Sequence, residues 1–149
     1  MDATFIATRR KLLGLTQREL SRLSGVKQPL ISAIESGRRE ATASVSQALA
    51  DALQVRPSVA LKHMLADVRK IVRANHGRAA FLFGSIARGQ DVPGSDVDLL
   101  VEFDEVADIA DLLTLEDELE QLLTVPVDVI SAGSSSRVTA KARRETVPL

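Results

Sequence analysis

The sequence predicts two domains of different fold class, an all-α bundle followed by an α/β domain, and three observations support this division. Between residues 4 and 55, short apolar-periodic segments alternate with capping residues and glycines, which is typical of a small helical bundle. Short apolar segments at 81–83, 97–103 and 127–130 predict buried strands, with an amphipathic helix before the last one. Charge divides the chain in a similar way: residues 1–78 carry 14 Lys/Arg against six Asp/Glu, and residues 79–149 carry five against fourteen.

Length and composition limit the class of protein. The 149 residues suit one domain or two small ones, and 45% hydrophobic residues can form a core. The sequence has no cysteine, which excludes disulfides and thiolate metal sites. It also has no apolar run near the roughly 18–20 residues of a membrane span and no signal-peptide pattern, so we expect a cytoplasmic location. Pro57 marks a boundary, which gives expected domains at residues 1–57 and 58–149.

The first domain contains a predicted helix-turn-helix. Thr16 and Glu19 form a capping box, Gly25 ends that helix, a second helix begins at Gln28-Pro29, and Gly37 ends it. Two helices of about eight residues joined by a tight glycine turn define the motif. A further helix is expected at about residues 44–53. The predicted core positions of the motif are Leu20, Leu23, Ile31 and Ile34.

Residues 15–55 resemble the phage-repressor-like (Xre-type) helix-turn-helix family, through Leu15-Thr-Gln17, Gly25-Val26, the Gln28–Ser32 run, Ile34-Glu35-Ser-Gly37 and the closing 52–55 segment. The resemblance implies that the second helix enters the major groove of DNA, where Gln28 suits adenine and Lys27 suits guanine or phosphate. Many relatives have a proline after the Gly-Arg-Arg segment, where this chain has Glu40, so the loop geometry stays open. For each candidate, the alternative is an ordinary exposed polar residue. The candidate DNA contacts are Gln17, Lys27, Gln28, Ser32, Arg38 and Arg39.

The second domain carries a Gly-Ser turn and two aspartates at fixed spacing. Residues two apart on a strand project from the same face, so Asp96 and Asp98 can share one or two divalent cations. Mg²⁺ prefers oxygen ligands and often keeps phosphates among them. Gly84 lets backbone approach a phosphate closely, and Ser85 offers a hydroxyl and an N–H where a helix begins. The pattern therefore predicts a site for metal and a nucleoside triphosphate.

This stretch resembles the nucleotidyltransferase superfamily that includes DNA polymerase β, and most closely its minimal (MNT-type) members. The signature of Gly-Ser, ten residues and Asp-x-Asp is matched without a gap. The resemblance implies a minimal nucleotidyltransferase fold with a small mixed sheet and a third carboxylate, supplied by Asp128. Asp96, Asp98 and Asp128 would be the catalytic metal ligands for two Mg²⁺, and Gly84, Ser85 and Arg88 would bind ATP. Arg88 could pair with phosphate or brace its loop.

The remaining segments predict a helix at 58–76, an acidic, largely solvated helix at 107–123 stopped by Pro126, a loop at 132–136 and a short basic helix at 137–145. MNT-type proteins commonly act as antitoxins beside HEPN-type ribonuclease toxins, which they modify, often on tyrosine. The resemblance thus implies transfer of AMP from ATP to a toxin, and repression of the chain's own operon as a homodimer on operator DNA. The chain has no tyrosine, so tyrosine self-modification is excluded. The alternatives are a non-catalytic regulator whose degenerate transferase fold serves dimerisation or nucleotide sensing, and modification of a small molecule such as an aminoglycoside.

Overall fold

The computed structural model describes residues 1–134 and 137–149 and divides into two compact units, Met1–Val55 and Arg56–Leu149. Each unit has its own core, as expected for domains of this size. Across the described ranges, no helix is both long and apolar enough to cross a membrane.

The first unit consists of four helices, α1 (Ala3–Leu12), α2 (Gln17–Ser24), α3 (Gln28–Glu35) and α4 (Ala43–Ala52). Helix α2 begins with the predicted capping box, in which the Glu19 N–H donates to Thr16 Oγ1 and the Thr16 N–H donates to Glu19 Oε2. It ends at Gly25, whose φ of 73° is the left-handed conformation that glycine adopts without strain. Buried apolar side chains from all four helices form the core, and they include Ile6, Leu20, Val26, Ile31, Ile34, Leu49 and Leu53.

One predicted core residue of the first unit is wrong. Leu20, Ile31 and Ile34 are buried, but Leu23 is 63% exposed. A spacing of three residues turns Leu23 about 60° around the helix from Leu20. Ile31 and Ile34 have the same spacing on α3 and are both buried, so the packing of the neighbouring helices, and not the spacing, decides that Leu23 is left uncovered.

The second unit is a four-stranded mixed sheet with helices. Strand β2 pairs antiparallel with β1 and parallel with β3, and the strand order is β3-β2-β1-β4. Helices α5 and α7 contact each other, with α5 against β1 and α7 against β3, so they form a helical layer beside the sheet. The elements are α5 (Pro57–Ala74), β1 (Gly77–Phe83), α6 (Gly84–Ala87), β2 (Val97–Phe103), α7 (Ile109–Leu123), β3 (Val127–Ser131), α8 (Arg137–Ala142) and β4 (Val147–Pro148).

Several boundaries in this unit differ from the predicted ones. Strand β1 begins at Gly77 rather than 81, because pairing with β2 extends it through residues of low strand propensity. Helix α7 begins at Ile109 rather than 107 and ends at Leu123 as predicted, and its C-cap Thr124 takes a left-handed φ of 59° before Pro126. Helix α8 ends three residues early, and the two-residue β4 was not predicted. The predicted loop at 132–136 lies partly outside the described residues.

Candidate functional site

The three predicted carboxylates are carried by, or lie next to, two adjacent parallel strands. Asp98 is the second residue of β2, and its Cα is in register with Asp128 on β3 and with Phe83 on β1. Side chains alternate along each strand, and the neighbours Val97, Leu99, Val127 and Val129 are all buried. Asp98 and Asp128 therefore project from the opposite face, and Asp96 immediately precedes β2.

Asp98 is the least exposed carboxyl group of this cluster. Asp96 and Asp128 are exposed, whereas Asp98 is half-buried. Burial, reinforced by the neighbouring carboxylates Asp96 and Asp128, raises the pKa of Asp98 to about 6, and the Arg88 guanidinium acts against them. A carboxyl group that resists ionisation beside two others is the electrostatic condition that a bound cation relieves.

Gly84 lies directly against Asp98. Its φ is 68°, and a Cβ built on it would overlap Asp98 Oδ2 and stand 3.0 Å from Asp98 Cγ. The lack of a side chain is thus required twice, once by the backbone conformation and once by the carboxylate. The turn that was predicted to approach a phosphate is in contact with a predicted metal ligand.

Ser85 follows Gly84 on α6, a helix of a single turn. It is half-buried, and its carbonyl accepts the Gln90 N–H at 2.8 Å, which closes the loop after the helix. That Ser85 binds a phosphate of ATP stays a prediction.

Arg88 has two protein partners in this structure. Its Nη1 donates to Glu145 Oε2 at 3.2 Å, and its Nε donates to Gln90 Oε1 at 3.2 Å. Both members of the ion pair are nearly half exposed, so the pair is weak and exchangeable. Arg88 was predicted either to pair with phosphate or to brace its loop, and the contacts that brace the loop are present. Its guanidinium also acts to lower the pKa of Asp98.

The donor set suits Mg²⁺. Carboxylate oxygens are the ligands that Mg²⁺ takes, usually with phosphate and water completing the coordination. Within 1–134 and 137–149, no three His, Asp or Glu side chains lie close enough together to hold a metal ion by themselves. The arrangement is therefore an open pair of strands with exposed Asp96 and Asp128, which fits a metal that arrives with a phosphate rather than a resident metal cage.

A buried aspartate that the sequence analysis missed anchors the loop between Gly84 and Asp96. The Asp91 side chain is 1% exposed and accepts Arg56 Nη2 at 3.0 Å and the Ser58 N–H at 2.8 Å. Burial alone would raise the pKa of Asp91, but the Ser58 and Arg56 hydrogen bonds hold it below its ordinary value. The loop of the predicted site is therefore fixed to the first turn of α5. A loop aspartate carries no local signal for this contact, which spans more than 30 positions.

Two glutamates of α7 hold the free side of β3. Glu120 Oε1 accepts the Val127 N–H at 3.0 Å, and Glu116 Oε2 accepts the Val129 N–H at 3.1 Å. These bonds flank Asp128 on both sides and fix its strand. The acidic residues of α7 were expected to be largely solvated, and these two instead have a structural role.

In the first unit, two predicted DNA contacts are linked in one hydrogen-bonded chain. Gln28 Nε2 donates to Gln17 Oε1 at 2.8 Å, and Gln17 Nε2 donates to Glu35 Oε2 at 2.9 Å. Arg10 holds the same carboxylate with two bonds, Nε to Oε1 at 2.7 Å and Nη2 to Oε2 at 2.9 Å. A nearly buried ion pair thus orients both glutamines. Neither Arg10 nor Glu35 was among the predicted functional residues.

The other predicted DNA contacts are on α3 or just beyond it. Lys27 is the exposed N-cap of α3, and Ser32 is half-buried on that helix. Arg38 and Arg39 are exposed in the turn after it, and both backbone N–H groups donate to the Ala33 carbonyl. These two bonds hold the backbone of this turn. Lys27, Ser32, Arg38 and Arg39 therefore lie on α3 or at its two ends.

Each of the two units matches a known protein family. Residues 65–147 match the family described as a nucleotidyltransferase domain, and residues 6–59 match a helix-turn-helix family. The protein adenylyltransferase MntA of Thermococcus cleftensis is 35% identical over 89 residues, which cover 58% of this chain and 90% of that protein. A Methanocaldococcus jannaschii protein, provisionally named a protein adenylyltransferase, is 37% identical over 75 residues, which cover 50% of this chain and 87% of that protein.

Among solved structures, a toxin-antitoxin crystallised with AMP-PNP superposes with a TM-score of 0.50 at 24% identity. The superposition covers 56% of this chain and 69% of the other, and it shows a shared fold. The predicted two-domain architecture is confirmed, with a helical unit followed by a minimal nucleotidyltransferase fold on a mixed sheet. Because the match spans more than half of the chain, the protein belongs to the nucleotidyltransferase domain family and carries a helix-turn-helix domain ahead of its transferase domain.

Proposed function

We propose that this nucleotidyltransferase moves AMP from ATP to a hydroxyl group of a partner protein, as the antitoxin of a toxin-antitoxin pair. The observation that carries the proposal is the contact between Gly84 and Asp98, with Asp98 in register with Asp128. It brings the turn suited to phosphate against the carboxylates suited to metal. The relatives named protein adenylyltransferases support the choice of reaction and of a protein acceptor.

The reaction is a displacement at the α-phosphorus of ATP. The acceptor oxygen forms a bond to that phosphorus, the bond to the β-phosphate oxygen breaks, and pyrophosphate leaves. Bound Mg²⁺ would neutralise the phosphate charge and orient the triphosphate. Asp96, Asp98 and Asp128 would hold the metal, and exposed Asp128 would take the proton of the acceptor hydroxyl. Gly84 and Ser85 would position the triphosphate, so catalysis is mainly orientation and charge neutralisation.

The acceptor is a second protein. The chain has no tyrosine, so a tyrosine acceptor must be supplied by another molecule. We propose a HEPN-type toxin as that molecule. The fold that this chain shares with the solved toxin-antitoxin crystallised with AMP-PNP supports a toxin as the partner.

The first unit would bind operator DNA, so that the antitoxin represses its own operon as a homodimer. Helix α3 would enter the major groove with Lys27, Gln28 and Ser32, and Gln17, Arg38 and Arg39 would contact the phosphate backbone. Among the described residues, the Gln28 side chain bonds only to Gln17, so its Oε1 and one N–H are left as acceptor and donor for an adenine edge.

Labelled ATP tests the transferase function. The protein is incubated with Mg²⁺, ATP labelled at the α-phosphate, and the product of the neighbouring gene. We expect label on the neighbour, loss of labelling in Asp96→Ala, and full labelling in Glu105→Ala, an exposed carboxylate outside the site. Tight operator binding without transfer to any neighbour would refute the transferase proposal and favour a non-catalytic regulator.

Operator titration tests the DNA function. Gln28→Ala should weaken specific binding by about 1–3 kcal/mol, the value of a bidentate base contact. Gln47→Ala, an exposed glutamine on α4, is the matched control and should bind as the unmodified protein does. Equal affinity of both variants would remove Gln28 from sequence readout.

A further inference from the structure

A pocket of about 450 Å³ opens beside Gly84 in the second unit. Phe83 and Gly84 line one side, Arg88 and Glu145 contribute their ion pair, and α8 contributes Arg137 and Lys141. Its volume is within the range of about 300–1,000 Å³ that is typical of small-molecule sites. Neither Arg137 nor Lys141 was identified from the sequence as a site residue.

The pocket has more positive charge than its own residues neutralise. Arg88 is paired with Glu145, but within the described part of the chain Arg137 and Lys141 have no ion-pair or hydrogen-bond partner. These two cations are four residues apart on α8, so they lie on the same face of that helix. Two unpaired cations in a concave site attract an anion.

The position of the pocket indicates which anion it would bind. Gly84 is shared between the pocket wall and the contact with Asp98. A polyphosphate whose reacting end lies at the carboxylates can therefore continue past Gly84 into the pocket. Its outer phosphates would then meet the cations of α8, and a nucleoside monophosphate would not reach them.

We propose that Arg137 and Lys141 bind the β- and γ-phosphates of the nucleoside triphosphate, an inference that rests on the proposed nucleotidyl transfer. During the reaction the bond between the α-phosphorus and the β-phosphate oxygen breaks, and the electron pair of that bond leaves with pyrophosphate. The two cations hold this leaving group on the pocket side of Gly84. Helix α8 thereby selects triphosphates over monophosphates.

Isothermal titration of the two-domain chain with two nucleotides tests this assignment. ATP and AMP are each titrated into the Lys141→Ala and Arg137→Ala variants, with Mg²⁺ present and acceptor protein absent. The control variant is Lys62→Ala, which changes an exposed lysine of α5 that does not line the pocket. Each α8 variant should bind ATP at least about tenfold more weakly, as expected for a lost charge-assisted hydrogen bond. AMP affinity should not change, and Lys62→Ala should bind both nucleotides normally.

Inorganic pyrophosphate is the third probe, because it carries the charge of the leaving group without a nucleoside. Its affinity should fall with that of ATP in both α8 variants, and Lys141→Arg should restore most of the binding. Both variants change exposed side chains, and an unchanged thermal transition will show that they fold. Equal weakening of AMP and ATP, or unchanged ATP affinity in both variants, would overturn the assignment.

The two proposals fail in different ways. If the α8 variants bind ATP more weakly but no partner protein is ever labelled, the phosphate assignment stands and the protein acceptor is wrong. If a partner is labelled while both α8 variants bind ATP normally, the acceptor stands and the phosphate assignment is wrong.

Discussion

Replacing Asp98 with asparagine should stabilise the metal-free protein while abolishing nucleotidyl transfer. Burial, with Asp96 and Asp128 nearby, raises the pKa of Asp98 to about 6. A rise of about two units from an ordinary Asp value corresponds to about 3 kcal/mol at neutral pH. Asp98 is only half-buried, so solvent screening reduces this to roughly 1 kcal/mol. Asp98→Asn removes that unfavourable charge.

The dependence on pH follows from the direction of the shift. The pKa of Asp98 is higher in the folded state than in the unfolded state, so its stabilising contribution is complete below about pH 4 and is lost as the pH rises through about 6. The unmodified protein should therefore lose roughly 1 kcal/mol relative to Asp98→Asn between pH 4 and pH 7.5.

Thermal denaturation in EDTA at both pH values measures this difference. We expect Asp98→Asn to raise the transition of the second unit by about 4–8 °C at pH 7.5, with a much smaller gain at pH 4. Glu105→Gln, which removes an exposed charge, should change neither transition. A variant that melts at or below the unmodified protein at pH 7.5 would refute the reasoning.

Three further substitutions test contacts described above. Asp91→Ala should lower the free energy of unfolding by about 2–4 kcal/mol, because it leaves Arg56 and the Ser58 N–H without their buried acceptor; urea denaturation measures the change, and a loss below about 0.5 kcal/mol would contradict it. Glu35→Ala should destabilise the first unit by about 3 kcal/mol and weaken operator binding, because Arg10 loses its paired charge and Gln17 its orienting acceptor; unchanged stability in urea would exclude this role. Gly84→Ala should reduce transfer far more than Gly89→Ala, since both residues have a φ near 67° but only Gly84 faces Asp98, so equal rates would show that the contact is not needed.

Local sequence signals predicted the elements that depend on neighbouring residues. The capping box at Thr16 and Glu19 and the glycine turn at Gly25 are present because their hydrogen bonds join residues three or four apart. The register of Asp98 with Asp128 follows from two apolar strands whose alternation leaves one face for the acidic residues. The fold was therefore largely predictable, and so was the position of Asp98 and Asp128 on the same face of neighbouring strands.

The missed features depend on contacts between distant segments. Asp91 reads locally as a loop residue, and only the folded chain brings it to Arg56. Lys141 reads as part of a basic, solvated helix, and the closeness of α8 to Gly84 is what places it in a pocket. Leu23 fits an apolar periodicity, yet the neighbouring helices leave it uncovered, while they bury Ile31 and Ile34 at the same spacing. Each error comes from tertiary packing, which a local pattern does not contain.

The bonds from Glu116 and Glu120 to β3 also limit how this protein can assemble. At one edge of the sheet, the Val127 and Val129 N–H groups are already taken by side chains of α7. At the other edge, β4 has only two residues, and Pro148 has no N–H to donate. Among the described residues, β3 and β4 therefore offer few free donors to a further strand. Strand addition is thus disfavoured for a segment of a partner protein or of a second copy, and we expect an assembly built on the transferase domain to form through its helices.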